Sequence, residues 1–140
     1  MATALKRNSA RQSVLDAYLD IGFANFVSAA DTPAIQVPAG AVVVGGDVVV
    51  DTVWNGATDV ISVGDSLLFN RYLNALTLAA LGRTVLVPTG YIYLVPTLIS
   101  VRWVGTGGPP TTGAARLRVS YLRRGKADTA EGLDYGARLA

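Results

Sequence analysis

The sequence predicts an all-β domain, an antiparallel sandwich or barrel of about eight strands, and three observations carry that prediction. Short runs of β-branched and aromatic residues recur after residue 20, with residues 48–54 as the clearest. Turn formers separate them at short intervals, among them Pro38-Ala39-Gly40, Asn55-Gly56, Gly64-Asp65-Ser66 and Pro88-Thr89-Gly90. Two late segments alternate strictly between apolar and polar residues, as half-exposed antiparallel strands require. Even strand spacing of this kind belongs to sandwiches and barrels. No repeat of 20–50 residues is present, which excludes propellers and solenoids.

Residues 1–19 read as an N-terminal arm. Ser9 and Gln12 form an S-x-x-Q pair that could open a short helix through Val14, Leu15, Tyr18 and Leu19; the competing reading is an extended arm entering a first strand. Ile21, Phe23 and Val27 fit a period of two, with a slip at Asn25-Phe26. Residues 20–126 form the β domain. Within it residues 35–37 make a short strand, residues 42–44 the next, and Gly45-Gly46 a bend or bulge. In the following run Val48, Val50, Thr52 and Trp54 share the face assigned to the core, and Asp47, Val49, Asp51 and Val53 the other. Asn55-Gly56 is a tight-turn signal leading into a strand over residues 58–63. Residues 67–81 fit either a helix or a loop followed by a strand, and the β context favours the latter. Strands follow over residues 84–87, 91–95 and 97–104. A last hairpin pairs Ile99, Val101 and Trp103 with Ala115, Leu117, Val119 and Tyr121 across a long glycine-rich turn, residues 105–113. Residues 127–140 are a C-terminal tail with Leu133, Tyr135 and Leu139 as apolar anchors.

Composition narrows the chemistry. The chain has 140 residues, 51% of them apolar and only 16% charged. A soluble domain usually carries about 25% charged residues, so part of this surface is expected to lie against a partner. There is no Cys and no His, which excludes disulfides, thiolate nucleophiles, Cys or His metal sites and every His-dependent catalytic triad. With one Glu and two Lys, acid–base chemistry would fall on nine Asp residues, and no enzymatic function, cofactor or metal is expected. The longest apolar run, residues 75–81, is far short of the roughly 20 residues of a spanning helix, so no membrane partner is expected. Lys6 and Arg7 are followed by polar residues rather than an apolar stretch, so no secretory signal is expected.

Charge is segregated along the chain. Residues 31–65 hold five acids and no base; residues 102–126 hold six bases, Arg102, Arg116, Arg118, Arg123, Arg124 and Lys126, and no acid. The basic set has three readings: a nucleic-acid surface, a site for an acidic protein partner, or the solvated face of a hairpin. Net charge is only +2 and no stacking aromatics accompany these arginines, which disfavours direct nucleic-acid contact. Asp47 and Asp51 stand about 13 Å apart at strand rise and do not chelate one ion. Trp54 and Trp103 fall on core faces, which favours packing over sugar stacking.

One stretch carries a resemblance. Residues 35–56 read Ile-Gln-Val-Pro-Ala-Gly-Ala-Val-Val-Val-Gly-Gly-Asp-Val-Val-Val-Asp-Thr-Val-Trp-Asn-Gly, and residues 59–65 Asp-Val-Ile-Ser-Val-Gly-Asp. Asn70-Arg71-Tyr72-Leu73 and Pro88-Thr89-Gly90-Tyr91 follow, and residues 113–121 close the pattern. This order resembles the jelly-roll modules of tailed double-stranded DNA phages, which occur as capsid cement (decoration) proteins and in other virion components. The chain departs from the pattern at Leu67-Leu68-Phe69, an apolar insertion where such modules are small and polar.

The resemblance implies an antiparallel jelly roll with two binding arms. It implies a structural role on the outer surface of an icosahedral capsid, assembled in the host cytoplasm, with the major capsid protein as partner and no catalytic residues. Closed symmetry favours a homodimer, with a trimer next. The alternative is a carbohydrate- or receptor-binding jelly roll of a tail or head fibre. The partner-binding candidates are Lys6, Arg7 and Arg11 in the arm, Val49 and Val53 on the outer strand face, and Leu67, Leu68 and Phe69 in the loop. Arg116, Arg118, Arg123 and Arg124 on the last strand, and Leu133 and Tyr135 in the tail, complete the set.

Overall fold

A computed structural model describes residues 12–124. Eight strands form two four-stranded antiparallel sheets: β1 (Leu15–Gly22), β2 (Asp31–Val37), β3 (Ala41–Thr52), β4 (Thr58–Gly64), β5 (Leu73–Thr77), β6 (Gly82–Val85), β7 (Thr97–Thr106) and β8 (Ala114–Arg123). One sheet has the order β1-β8-β3-β6 and the other β2-β7-β4-β5. The pairs β1·β8, β2·β7, β3·β6 and β4·β5 are those of one long hairpin folded at its middle, and β3·β8 and β4·β7 roll it into two layers. That is the jelly roll.

The core lies between the sheets. Ile21, Val48, Val50, Ala115, Leu117 and Val119 come from the first sheet, and Ile35, Val37, Ile61, Val63, Ile99 and Val101 from the second. Each strand contributes alternate residues, so the apolar period of two decides which face turns inward. Trp54, Tyr72, Leu78, Leu86 and Tyr93 close the two ends.

The predicted helix option over Val14, Leu15, Tyr18 and Leu19 is not taken. Leu15–Gly22 is a strand, and its partnership with β8 gives every backbone group on one side a ladder bond. Residues 15–19, assigned to the arm by sequence, therefore lie in a sheet. The bulge expected at Gly45-Gly46 is present: β3 runs unbroken through it, with a register shift between Val43 and Gly45. Gly46 has φ +135°, and a side chain there would overlap the Arg118 carbonyl oxygen. Residues 67–81 adopt the loop-then-strand form.

Three local readings are corrected. β7 and β8 are not a hairpin but lie in opposite sheets, joined by a loop that crosses the end of the sandwich. Asn55-Gly56 likewise joins strands of different sheets, and Asn55 works as a staple. Its Oδ1 accepts from the N–H groups of Thr111 (2.8 Å) and Thr112 (3.3 Å), and its Nδ2 donates to Thr111 Oγ1 (2.7 Å). Residues 91–95 are not a strand, and only an isolated bridge between Val42 and Ile92 forms there. The only consecutive strands that share a sheet are β4 and β5, joined by residues 65–72.

Candidate docking surface

Strand directions sort the loops into two ends. One end carries the start of β1, residues 38–40, residues 65–72, residues 86–96 and the exit of β8; it is called the arm end below. The opposite end carries residues 23–30, 53–57, 78–81 and 107–113.

Arginine–aspartate pairs lie on the outer faces, a ladder of them on the first sheet and one on the second. On the first sheet Asp47 accepts from Arg83 Nε (2.7 Å) and Arg118 Nη2 (3.1 Å), and Arg116 Nε bonds Asp51 (3.1 Å). Arg118 also lies 3.8 Å from Asp16, which accepts from the Ser120 hydroxyl. Burial opposes ionisation of Asp47, but the hydrogen bonds and charges of Arg83 and Arg118 prevail and hold its carboxyl below the usual carboxylate range. On the second sheet Arg102 Nε bonds Asp31 (2.8 Å). Asp31, Asp47 and Asp51 of the acidic block are thus partners of Arg102, Arg118 and Arg116 of the basic block across neighbouring strands, a fourth reading for these three arginines that linear order conceals.

The arm end is built around Asp65, whose exposure is 1%. Its Oδ1 accepts from the N–H groups of Leu67 (3.0 Å) and Leu68 (2.9 Å) and from Arg71 Nη2 (3.3 Å). Its Oδ2 accepts from Arg71 Nε (2.6 Å) and the Tyr93 hydroxyl (2.7 Å), and Tyr93 shares a 2.6 Å bond with Tyr72. Burial raises the carboxyl pKa, but the bonds from Arg71, Tyr93 and Leu68 outweigh it and the net shift is downward. Burial also pushes both tyrosine hydroxyls up, so both stay protonated. Arg71 lies 3.8 Å above the Tyr91 ring, which meets Tyr93 edge-on at 5.1 Å. This network fixes the 65–72 loop to the 91–93 segment.

Fixed in this way, the loop folds back over the outer face of the second sheet. A side chain at Gly64 would overlap the carbonyl oxygens of Leu68 and Phe69. The Phe69 ring is covered by the Arg102 guanidinium at 4.1 Å. Leu67 points outward with 78% exposure. Beside it a groove of about 600 Å³ is lined by Tyr91, Leu94, Val95, Pro96 and Leu98. Leu94 is 86% and Val95 64% exposed.

Residues 12 and 124, the two limits of the described chain, lie at the same end. Gln12 Nε2 donates to Arg123 O (3.0 Å), and Arg123 N–H to Gln12 Oε1 (2.6 Å). Arg124 N–H bonds Gly40 O (2.7 Å), and Gly40 N–H bonds Tyr93 O (2.6 Å).

Among the candidates named from sequence, Leu67, Leu68, Phe69, Arg123 and Arg124 therefore gather at the arm end. Arg116 and Arg118 sit on the outer face of the first sheet and are already paired. Val49 lies half-buried between Arg83 and Arg116 in register, and Val53 is exposed at the opposite end. Lys6, Arg7, Arg11, Leu133 and Tyr135 lie outside the described residues. Sequence reasoning missed Leu94 and Val95, because residues 91–95 have the composition of a strand, and Leu98, because it sits on the outer face of a strand; Pro96, two residues after the exposed Leu94, was the available signal of an irregular segment. Both tryptophans are buried, with Trp103 Nε1 bonded to Asp59 Oδ1 (3.0 Å), so neither offers a sugar-stacking face. No group of three acids among the described residues is placed to hold a metal ion.

No protein-family model and no curated protein matches the sequence. The fold is matched by solved structures. A chain of the cyanophage Pam1 capsid asymmetric unit superposes with a TM-score of 0.63 at 22% identity, over 86% of this chain and 91% of that one. A chain of the acid-stable capsid of Helicobacter pylori bacteriophage KHP30 gives 0.61 at 19% identity, over 79% and 88%. A chain of the Ralstonia phage GP4 capsid gives 0.57 at 16% identity, over 89% and 93%. What is shared at these identities is the jelly-roll fold, and it is shared over nearly the whole of each chain.

Proposed function

We propose that the chain is a structural virion protein of a tailed phage, bound to the outer surface of the icosahedral capsid and tying neighbouring major capsid protein subunits together. The observation that carries this reading is the extent of the fold similarity: three capsid structures each contain a chain of nearly the same span, not merely a shared fragment. The chemistry agrees. The buried carboxylates Asp65, Asp47 and Asp59 serve internal bonds, and the loops carry exposed apolar side chains such as Leu67, Leu94 and Val95. A stiff body suits a lattice, where many weak contacts add. The protein acts without catalysis or cofactor and associates with itself, as a homodimer in preference to a trimer. Quantitative mass spectrometry of gradient-purified virions, separated into heads and tails, tests this. The reading expects the protein in the head fraction at many copies per particle. Its absence from particles, or its confinement to the tail, overturns it.

A further inference from the structure

We propose that the arm end is the surface by which the protein docks, and that its partner is a protein surface with an acidic rim around an apolar contact. The inference rests on the virion reading above and adds the face used and the chemistry it meets. Its ground is an imbalance in how the arginines are satisfied. Arg71, Arg83, Arg102, Arg116 and Arg118 each meet an aspartate within 3.1 Å. Arg123 and Arg124 meet none among the described residues, although their backbones are fixed by Gln12 and Gly40. Both residues lie at the arm end, exposed and without an aspartate partner among the described residues.

The same end holds the exposed Leu67, Leu94, Val95 and Leu98. An apolar centre with a charged margin is the anatomy of a protein–protein interface. Nucleic acid fits it less well. Phosphates gain nothing from four exposed aliphatic side chains, and nucleic-acid interfaces are more polar and more positively charged than protein–protein ones. Two aromatic faces at this end, Tyr91 and Phe69, are already covered by Arg71 and Arg102. Long-range attraction between the basic rim and an acidic patch would orient the protein before the apolar contact closes.

The test uses the full chain and capsid shells stripped of it, with co-sedimentation measured across a NaCl series. Linear double-stranded DNA is the second probe. Two variants address the two halves of the surface, Arg123→Glu/Arg124→Glu and Leu94→Asp/Val95→Asp, and Val27→Asp at the opposite end is the control. All substituted side chains are exposed, and unchanged melting curves confirm folding. The proposal expects wild-type binding that weakens with salt, a loss of about tenfold or more in both double variants, the Val27 variant unchanged, and no DNA retention at physiological salt. Wild-type binding that neither double variant weakens overturns the docking face and leaves the virion reading standing. DNA retention that disappears in the arginine variant overturns the protein partner. Failure of the wild-type chain to bind shells overturns the virion reading, and this inference with it.

Discussion

Replacing Asp65 by Ala removes the acceptor of five hydrogen bonds, two from backbone N–H groups, two from Arg71 and one from Tyr93. The Arg71 side chain is only 12% exposed and would be left without its counter-ion. Removing one partner of a buried ion pair costs about 3–5 kcal/mol. Arg71 keeps its contact with the Tyr91 ring and has a partial path to solvent, which places the loss near the lower bound, about 3 kcal/mol. Against a total stability of about 5–15 kcal/mol this is a large share. With a urea m-value of about 1–3 kcal/mol/M, the unfolding midpoint falls by about 1–3 M. Asp65→Asn keeps an oxygen for the Leu67 and Leu68 N–H groups but loses the charge, and falls between wild type and Asp65→Ala.

The effect depends on pH in a defined direction. The folded carboxyl has a lower pKa than the unfolded one, so its contribution is fully present above about pH 4 and is lost as pH falls through the folded value. The gap between wild type and Asp65→Ala should therefore be widest near neutrality and close in acid. A midpoint shift under about 0.3 M at pH 7, with m unchanged, would refute the claim that this carboxylate holds the loop.

Other substitutions probe other parts of the account. Gly64→Ala puts a methyl into the backbone of Leu68 and Phe69 and should cost about 1–3 kcal/mol in urea unfolding; a neutral result means the loop does not lie on the sheet as described. Arg83→Ala and Arg118→Ala, each largely exposed, should cost less than about 1 kcal/mol singly, but the double variant should lose more than the sum because Asp47 is then left unpaired. Strict additivity in that cycle contradicts a shared role at Asp47. Trp103→Phe should cost about 1.5–3 kcal/mol more than Trp54→Phe, since Trp103 bonds Asp59 and Trp54 Nε1 has no protein partner. Equal losses on denaturation would remove the Asp59 bond from the account.

What the sequence revealed follows from what is local. Alternation along residues 97–104 and 114–121 marked the inward residues of β7 and β8 correctly, because a strand in any sheet must turn one face to the core. The same alternation holds whether two strands pair side by side or face each other across a sandwich, so the hairpin reading of β7 and β8 could not be separated from the crossing. The bulge at Gly45-Gly46 was legible because two glycines interrupt an otherwise β-branched run. The start of β1 was less so. Leu15, Tyr18 and Leu19 also suit a helix, and only pairing with β8 decides between the two. The pairing of Asp31 with Arg102, Asp47 with Arg118 and Asp51 with Arg116 spans 65–71 residues and depends on strand order, which no linear pattern encodes. At the docking surface, Leu67 to Phe69 stood out as apolar residues in a loop. The groove beside them did not, because residues 91–95 have strand-like composition without a full strand partner.

A cryo-EM reconstruction of the intact virion would show whether the protein sits on the shell and which end it turns to it. The account predicts a jelly-roll density at regular positions on the outside of the capsid lattice, with the Arg123–Arg124 end and the Leu94–Val95 groove turned toward the shell. A shell without that density, or one in which the arm end points away into solvent, would contradict it.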